Sequence, residues 1–595
     1  MAILALHRQL NSSWGSDRYA SYYAHLNIEA DQIRSIELPV CIVFFPDFHV
    51  GNERLVGSGL DLKRVCREIF LVVNKTAKRV SRERELLLDD DDFAARMMRR
   101  TLSSLKGRGE GMDTLARIYS FAYGDSSESA GGTVVSGLLE YSSAVALHKI
   151  HAANVFGKPD AFNIENPSDI TDGRRVKNTE RPARLLLGTP LDKWCTLSRW
   201  SGKYHAPKDV GEAVKLLGDI TDVPLFKLFD VFRPFSVVNS ELRKLRTRLS
   251  DTTHRADLVQ SKCYTLLFEG SGVLNVFEDH KQRLKERVEE AEELGSEPDD
   301  YIKNQLDDAN AVSAALDQHL EAIKKKRAAS LFNIDNEKFF ASCSEGDATK
   351  LLSVAKTIFS TVATQAFQIG YAMAVSTLSE IMLEDDAAPS YQKRMGVMAF
   401  LSELLVSGLN QYVMPSNDTI HKTLSGLIKE RRSHIFDPDM PGLRRLLRLS
   451  GVVELNERQW PFFRYAILEM VHSRYGRVAV RRRLEDDEMM GQLYSSKLPK
   501  VAQLIVNRRR EYMDSAVRRA LEASDFKQDL EKRRAHLEGK GKRDTEIDNE
   551  IRQKQKDKET EIKDLCAECV KASLGKQEDD EAIVRECLLT DNTGG

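Results

Sequence analysis

A chain of 595 residues, 42% of them hydrophobic, has ample material for one large core or two lobes, and about 150 residues per domain would give roughly four domains. Its 30% charged and 7% aromatic content argue against a wholly disordered chain and against one embedded in a membrane. The formal net charge of −2 alone predicts no polyanion partner, but charge is segregated: from Arg431 to Arg519, 17 Arg and 2 Lys stand against 11 acidic residues, whereas Asp89–Asp92 and Glu286–Asp308 are acidic.

The first residues, Met1 to Arg8, have too short an apolar run and no basic lead-in for a signal peptide. Ile36–Phe45 is β-branched and aromatic and Ile69–Val73 is a second short apolar run, so a small strand pair is expected near the N-terminus. Helix is expected to dominate beyond it. Gly107–Gly111 and Gly124–Gly132 read as exposed loops, and Phe156–Pro207, with prolines and glycines but no periodicity, as an irregular surface region.

Between Leu274 and Ala328 apolar residues recur at helical spacing amid dense charge, break at Gly295–Pro298 and resume, which predicts a charged helical hairpin within about 240–330. Thr357–Ser379 carries no formal charge over a length that could span a bilayer. Its Gln365, Gln368 and Gly370, and the Glu403 and Asn410 of the following Met395–Met414 stretch, read instead as buried helices without membrane insertion. A linker around Pro415 leads to a second helical block ending near Ser524. The tail from Asp525 alternates Lys, Glu, Asp and Arg and reads as an exposed helix fraying into disorder, unfit for a core.

The eight cysteines, Cys41, Cys66, Cys195, Cys263, Cys343, Cys566, Cys569 and Cys587, are scattered as free thiols of a reducing compartment would be. Cys566, Cys569 and Cys587 fall one ligand short of a structural zinc set, with His536 the nearest histidine. No phosphate-binding loop, dinucleotide glycine fingerprint or serine-nucleophile elbow is found. Asp47 with His49, and Gly218-Asp219-Ile-Thr-Asp222, resemble the first two motifs of calcineurin-like metallophosphoesterases. A two-metal centre needs several ligands converging on ions ~4 Å apart; the later histidine motifs are missing and these two lie far apart in sequence. Asp47, Asp61 and Lys63 have the spacing of a metal-dependent nuclease core, without a strand-like run before Asp61. Neither set completes a catalytic centre, so no enzyme and no cofactor is expected. His254, His421 and His472 read as surface or satisfied core groups.

From Pro441 to Met470 the sequence offers a basic helix, a Ser450-Gly451 stop, an apolar anchor at Leu455, and Trp460-Pro461 opening an apolar helix. Proline suits a helix's first turn because its missing donor would be unsatisfied there. The aromatic group Trp460, Phe462, Phe463 and Tyr465 is expected to lock the two helices together. Over about forty residues, this arrangement resembles the C-terminal lobe of nucleoproteins of nonsegmented negative-strand RNA viruses. The spacing is filovirus-like from Arg445 through Val452 to Pro461, and paramyxovirus-like in Leu455, Trp460 and Ala466. Leu455 stands where the paramyxovirus pattern has an aromatic, and Glu469 and Arg474-Tyr475 stand where small residues are usual.

The resemblance implies a mainly α, two-lobed fold with a small β element near the N-terminus. It divides the chain into an arm at 1–30, an N-terminal lobe at 31–380, a C-terminal lobe at 381–525 and a charged arm or tail at 526–595. It further implies a homo-oligomer whose terminal arms engage neighbours, coating single-stranded RNA without sequence preference. A viral phosphoprotein and polymerase would be its partners, and the virion nucleocapsid and host cytoplasm its locations. Phosphate contacts are expected from Arg431, Arg432, Arg444, Arg445, Arg448, Arg477, Arg481, Arg482 and Arg483, with Lys393 and Arg394 as second choices. The rival readings are a helical scaffold that binds only proteins and a metal-dependent phosphoesterase or nuclease.

Overall fold

The computed structural model describes residues 86–87, 89, 92–107, 121–122, 142–156, 185–186, 189–190, 207–250, 258–269, 271–332, 344–387, 389–413, 460–473 and 476–574. The chain is mainly α, as its composition and periodicity predict. Fifteen helices run through these residues, in order α1 (Phe93–Gly107), α2 (Ala144–Phe156), α3 (Pro207–Val231), α4 (Arg233–Ser250), α5 (Leu258–Glu269), α6 (Ser271–Glu293), α7 (Asp300–Leu331), α8 (Glu345–Val362), α9 (Gln365–Leu383), α10 (Tyr391–Val413), α11 (Trp460–His472), α12 (Arg477–Asp486), α13 (Glu488–Glu522), α14 (Ser524–Gly539) and α15 (Asp544–Leu574). Extended structure amounts to two bridges of two residues per strand, Phe121–Ala122 parallel to Ser142–Ser143 and Leu185–Leu186 antiparallel to Thr189–Pro190. The strand pair expected at Ile36–Phe45 and Ile69–Val73, the arm at 1–30, and the loops at Gly111 and Gly124–Gly132 lie outside the described residues.

The uncharged Thr357–Ser379 stretch is two helices rather than one span. Thr364 breaks it, its hydroxyl accepting from the Phe367 amide at 3.1 Å as the N-cap of α9. Although α9 is long and apolar enough to cross a membrane, 89% of its apolar window is buried inside the fold, which is how a core helix behaves. Seventeen of its nineteen residues are buried, and every residue of α11 is buried against it and its neighbours. At Gly370 a Cβ would stand 2.6 Å from the Phe463 Cβ and 2.9 Å from the Arg464 amide, so only glycine allows α9 and α11 this close. The aromatic residues that the sequence assigns to a two-helix lock serve three helices. Phe463 meets Phe367 of α9 edge-on at 5.8 Å, while Phe462 and Tyr465 of α11 contact Tyr512 of α13 at 5.3 and 5.2 Å. The basic helix they were expected to hold, before Trp460, lies outside the described residues.

The boundary expected near residue 380 falls within this core. Met382 and Leu383 of α9 and Val397 and Met398 of α10, on either side of that position, belong to one continuous cluster with Leu147 of α2 and Leu217 of α3. Around the core lie two charged hairpins. One joins α6 to α7 through Gly295 at φ 66°, with Asp299 capping α7 by accepting from the Tyr301 amide. The other joins α14 to α15 through Gly541 at φ 71°, and α15 returns along α13. This second hairpin departs from the sequence expectation of a tail unfit for a core. Leu537, Ile547, Ile562 and Cys566 are buried, and Ile562 and Cys566 join the main cluster. A few apolar residues at helical spacing are enough to seat a highly charged helix when a neighbour supplies the matching face.

Candidate nucleic-acid interface

The basic helix α12 follows the core helix α11 after a tight turn. A Cβ on Gly476 would stand 2.5 Å from the carbonyl oxygens of Met470 and Val471, so the turn has no room for a side chain. The end of α11 is pinned by His472, whose ring nitrogens lie 2.7 Å from the Leu468 carbonyl oxygen and 2.6 Å from the Tyr494 hydroxyl; burial brings its pKa down to about 4, so it is a neutral, satisfied core group. Val480 is the one buried residue of α12. Arg482 is exposed, and Arg477 and Arg481 are half-buried on its flanks.

The charges along α12 run against its dipole. Arg477 stands in the first turn, where the helix end is already positive, Arg481 and Arg482 follow at mid-helix, and Glu485 and Asp486 share the last turn with Arg483. Gly476 at the N-cap supplies no side-chain acceptor, and the first turn holds no acidic residue. Each misplaced charge near a helix end costs about 0.3–1 kcal/mol.

The remaining described candidates serve other purposes. Arg483 turns back into the fold: its guanidinium pairs with Glu403 at 2.5 Å and lies over the Phe400 ring at 5.5 Å, and Lys227 reaches the same carboxylate at 2.6 Å. Arg394 is 2% exposed with Glu380 at 3.7 Å; burial lowers its pKa to about 10, so it stays charged at neutral pH but is no phosphate contact in this arrangement. Lys393 stands at the surface bound to Asp386 at 2.7 Å. Arg431, Arg432, Arg444, Arg445 and Arg448 lie outside the described residues. The structure thus places Arg477, Arg481 and Arg482 on one short helix, whereas Arg394 of α10 is buried.

The acidic pair of the phosphoesterase-like motif has a different setting from the one the motif suggests. Asp219 and Asp222 lie inside α3, where Arg100 of α1 forks between them, 2.5 Å from Asp222. The Arg100 side chain lies across Gly218, where a Cβ would overlap its Nη1. Beside this pair, Thr101 donates to Asp222 at 2.5 Å and its hydroxyl lies 2.7 Å from His151 Nε2, with Thr221 3.3 Å from His151 Nδ1. Burial raises the Asp222 carboxyl to about 6 against the pull of Thr101 and Arg100, and lowers the His151 pKa to about 3. A nearby pair, Asp92 and His148, sits at 2.8 Å with both side chains 1% exposed. These are interhelical ties of α1, α2 and α3; Asp47, His49, Asp61 and Lys63 lie outside the described residues.

Sequence reading missed these ties because partners more than a hundred residues apart, such as Arg100 and Asp222, have no local signature. The described residues contain no group of three or more His, Cys, Asp or Glu placed to hold a metal ion. Comparisons with known protein families, curated proteins and solved structures give no match.

Proposed function

We propose that this protein is a nucleoprotein that binds single-stranded RNA through its sugar-phosphate backbone, self-assembles along it, and presents the coated strand as a template to a viral polymerase and its phosphoprotein. The reading begins with the likeness of residues 441–470 to the C-terminal lobe of nonsegmented negative-strand virus nucleoproteins. The observation that carries it is the basic face of α12, which has Arg477 in a first turn without acidic residues and Arg481 and Arg482 one turn further along. A phosphate beside that end would offset both the helix dipole and the guanidinium repulsion. Arg suits the task because its planar fork meets two phosphate oxygens. Arg477, Arg481 and Arg482 are assigned phosphate contact, joined by Arg431, Arg432, Arg444, Arg445 and Arg448 from the preceding basic stretch. Two lobes clamping the strand, terminal arms engaging neighbours, and residence in a nucleocapsid and the host cytoplasm are the finer parts of the same proposal.

The first test is the ratio of absorbance at 260 and 280 nm of the purified protein, followed by nuclease treatment and electron microscopy. RNA protected inside rings or filaments is the expected result. Protein free of nucleic acid, with no affinity for RNA at low salt, would overturn the reading and leave the protein-only scaffold in its place. The site itself is tested by the double substitution Arg477→Ala and Arg482→Ala. Losing two phosphate contacts should flatten the slope of log affinity against log salt by about 1.4 for a single strand.

A further inference from the structure

Side chains from three helices form one buried row of hydrogen bonds that the proposed function does not use: Asp222 and Thr221 of α3, Thr101 of α1 and His151 of α2. Asp222 Oδ1 lies 2.5 Å from the Thr101 hydroxyl, and that hydroxyl lies 2.7 Å from His151 Nε2. His151 Nδ1 lies 3.3 Å from the Thr221 hydroxyl, which reaches the Leu217 carbonyl oxygen at 3.0 Å. All four residues are buried, and the row meets solvent at Arg100 and Asp219, whose side chains are 24% and 35% exposed.

Each hydroxyl carries one proton, and a neutral imidazole donates from one nitrogen and accepts at the other, so the row has a direction. An ionised Asp222 can only accept. Thr101 then donates to Asp222, His151 donates from Nε2 to Thr101, and Nδ1 accepts from Thr221. A protonated Asp222 reverses the order. Its Oδ2 already accepts from Arg100 at 2.5 Å, so the proton sits on Oδ1 and is donated to Thr101. Thr101 donates on to Nε2, the ring carries its proton on Nδ1, and Thr221 turns its own to the Leu217 carbonyl oxygen. The other acceptor near Thr101, the Met97 carbonyl oxygen of its own helix, is farther away at 3.1 Å. In both directions each of these buried groups keeps a partner, as burial requires.

The surroundings keep the ring neutral while Asp222 titrates. Burial, His148 and Arg100 all oppose a positive His151 and bring its pKa down to about 3, whereas burial raises Asp222 to about 6 against the pull of Thr101 and Arg100. Between those values Asp222 holds a proton and His151 takes up none. The neighbouring ionisable groups have partners of their own: Asp92 binds His148, Lys149 binds Gln365 of α9, and Tyr391 of α10 donates to Asp219.

We propose that Asp222, Thr101 and His151 form a proton-driven switch: when Asp222 takes up one proton, the Thr101 hydroxyl turns from Asp222 to His151 and the ring proton moves from Nε2 to Nδ1. The row gains one proton, at Asp222, and the ring still holds one, so buried α2 acquires no charge. A carboxyl near the rim of the fold thereby sets which helix donates to which at the junction of α1, α2 and α3. The switch does not depend on the RNA reading.

The test uses the full chain labelled with the heavy nitrogen isotope in its 13 histidines and reads, by two-bond nitrogen–proton correlation spectra, which ring nitrogen carries the proton. The His151 ring should carry it on Nε2 above the Asp222 value of about 6, and on Nδ1 between there and about 3. Asp222→Asn, whose amide donates to Thr101 at every pH while Arg100 holds its oxygen, should fix the Nδ1 form even at neutral pH. This variant removes no histidine, so the ring that it changes is identified directly, and loss of that signal in His151→Gln checks the assignment. Thr101→Val, which keeps the shape and removes the hydroxyl, should abolish the exchange of nitrogens.

A ring protonated on Nε2 on both sides of the Asp222 titration would overturn the proposal, because Thr101 would then turn to Met97 instead. So would a ring protonated on both nitrogens within that window, an exchange that survives Thr101→Val, or an Asp222→Asn protein with the Nε2 form at neutral pH. The parent and Asp222→Asn proteins decide the matter even where Thr101→Val does not fold.

Discussion

The α9–α11 contact and the α14–α15 hairpin are both helix pairs, but they are held by different forces. At the first, Gly370 lets backbones meet and Phe367 packs edge-on against Phe463, while α11 is held to α13 by Tyr512 and by a buried ion pair, Arg509 to Glu469 at 2.7 Å. At the second, most pairs are exposed, including Arg534 with Asp548 at 2.7 Å and Arg533 with Glu550 at 3.1 Å, and a few apolar residues seat the helices. Similar helix content therefore hides unequal sensitivity to substitution: an ionic tie matters where solvent cannot replace the lost partner.

The largest effect should come from Arg509→Ala. Among the described residues it leaves Glu469, 1% exposed, with the Tyr465 hydroxyl at 2.7 Å, and loss of one partner from a buried pair costs about 3–5 kcal/mol. Chemical denaturation should show that loss, while Arg534→Ala, which removes an exposed pair of the hairpin, should leave the midpoint unmoved. Equal effects would remove the distinction between the two helix pairs.

A smaller loss is expected for Gly370→Ala. The new methyl meets backbone atoms of α11 rather than a movable side-chain end, and overpacking of this kind costs about 1–3 kcal/mol. Gly539→Ala, at the end of α14 with open space around it, is the matched control and should cost much less.

The mildest effect concerns pH. His151 and His472 remain neutral in the fold, with pKa values lowered to about 3 and about 4, whereas unfolding lets them take up protons near the ordinary imidazole value of about 6.5. Each therefore contributes stability that is present above that value and is lost as pH falls, at about 1.4 kcal/mol per pH unit within its window. Asp222 acts in the opposite direction: raised from 3.8 to about 6, it holds its proton longer in the fold, so its contribution falls as pH rises between those values. Between pH 4 and 6 the two histidines outweigh the one aspartate, and stability should rise with pH. His472→Gln should make that slope shallower in urea titrations, and an unchanged slope would show that its buried neutral state contributes nothing.

Much of the helical architecture was legible along the chain. Trp460-Pro461 marked the start of α11, Gly295–Pro298 the turn between α6 and α7, and the Gln and Gly of 357–379 spoke against a membrane span. These signals are local: capping, proline placement and apolar period act within a few residues. The candidate site was legible only as composition. Sequence could count arginines between 431 and 519, but Arg483 turning inward to Glu403 while Arg482 faces out depends on helix phase and on a carboxylate eighty residues away.

Alternation of charge and apolar residues, together with a lack of strand-forming runs beyond the first hundred residues, was enough to determine a helical chain with a basic stretch from Arg431 to Arg519. Tertiary structure alone decided that Asp219 and Asp222 grip Arg100 rather than stand open, and that Ile562 and Cys566 join the main apolar cluster. The reason is one of range. Backbone hydrogen bonding selects a helix from its own few residues, whereas burial and ion pairing depend on which distant surface arrives opposite.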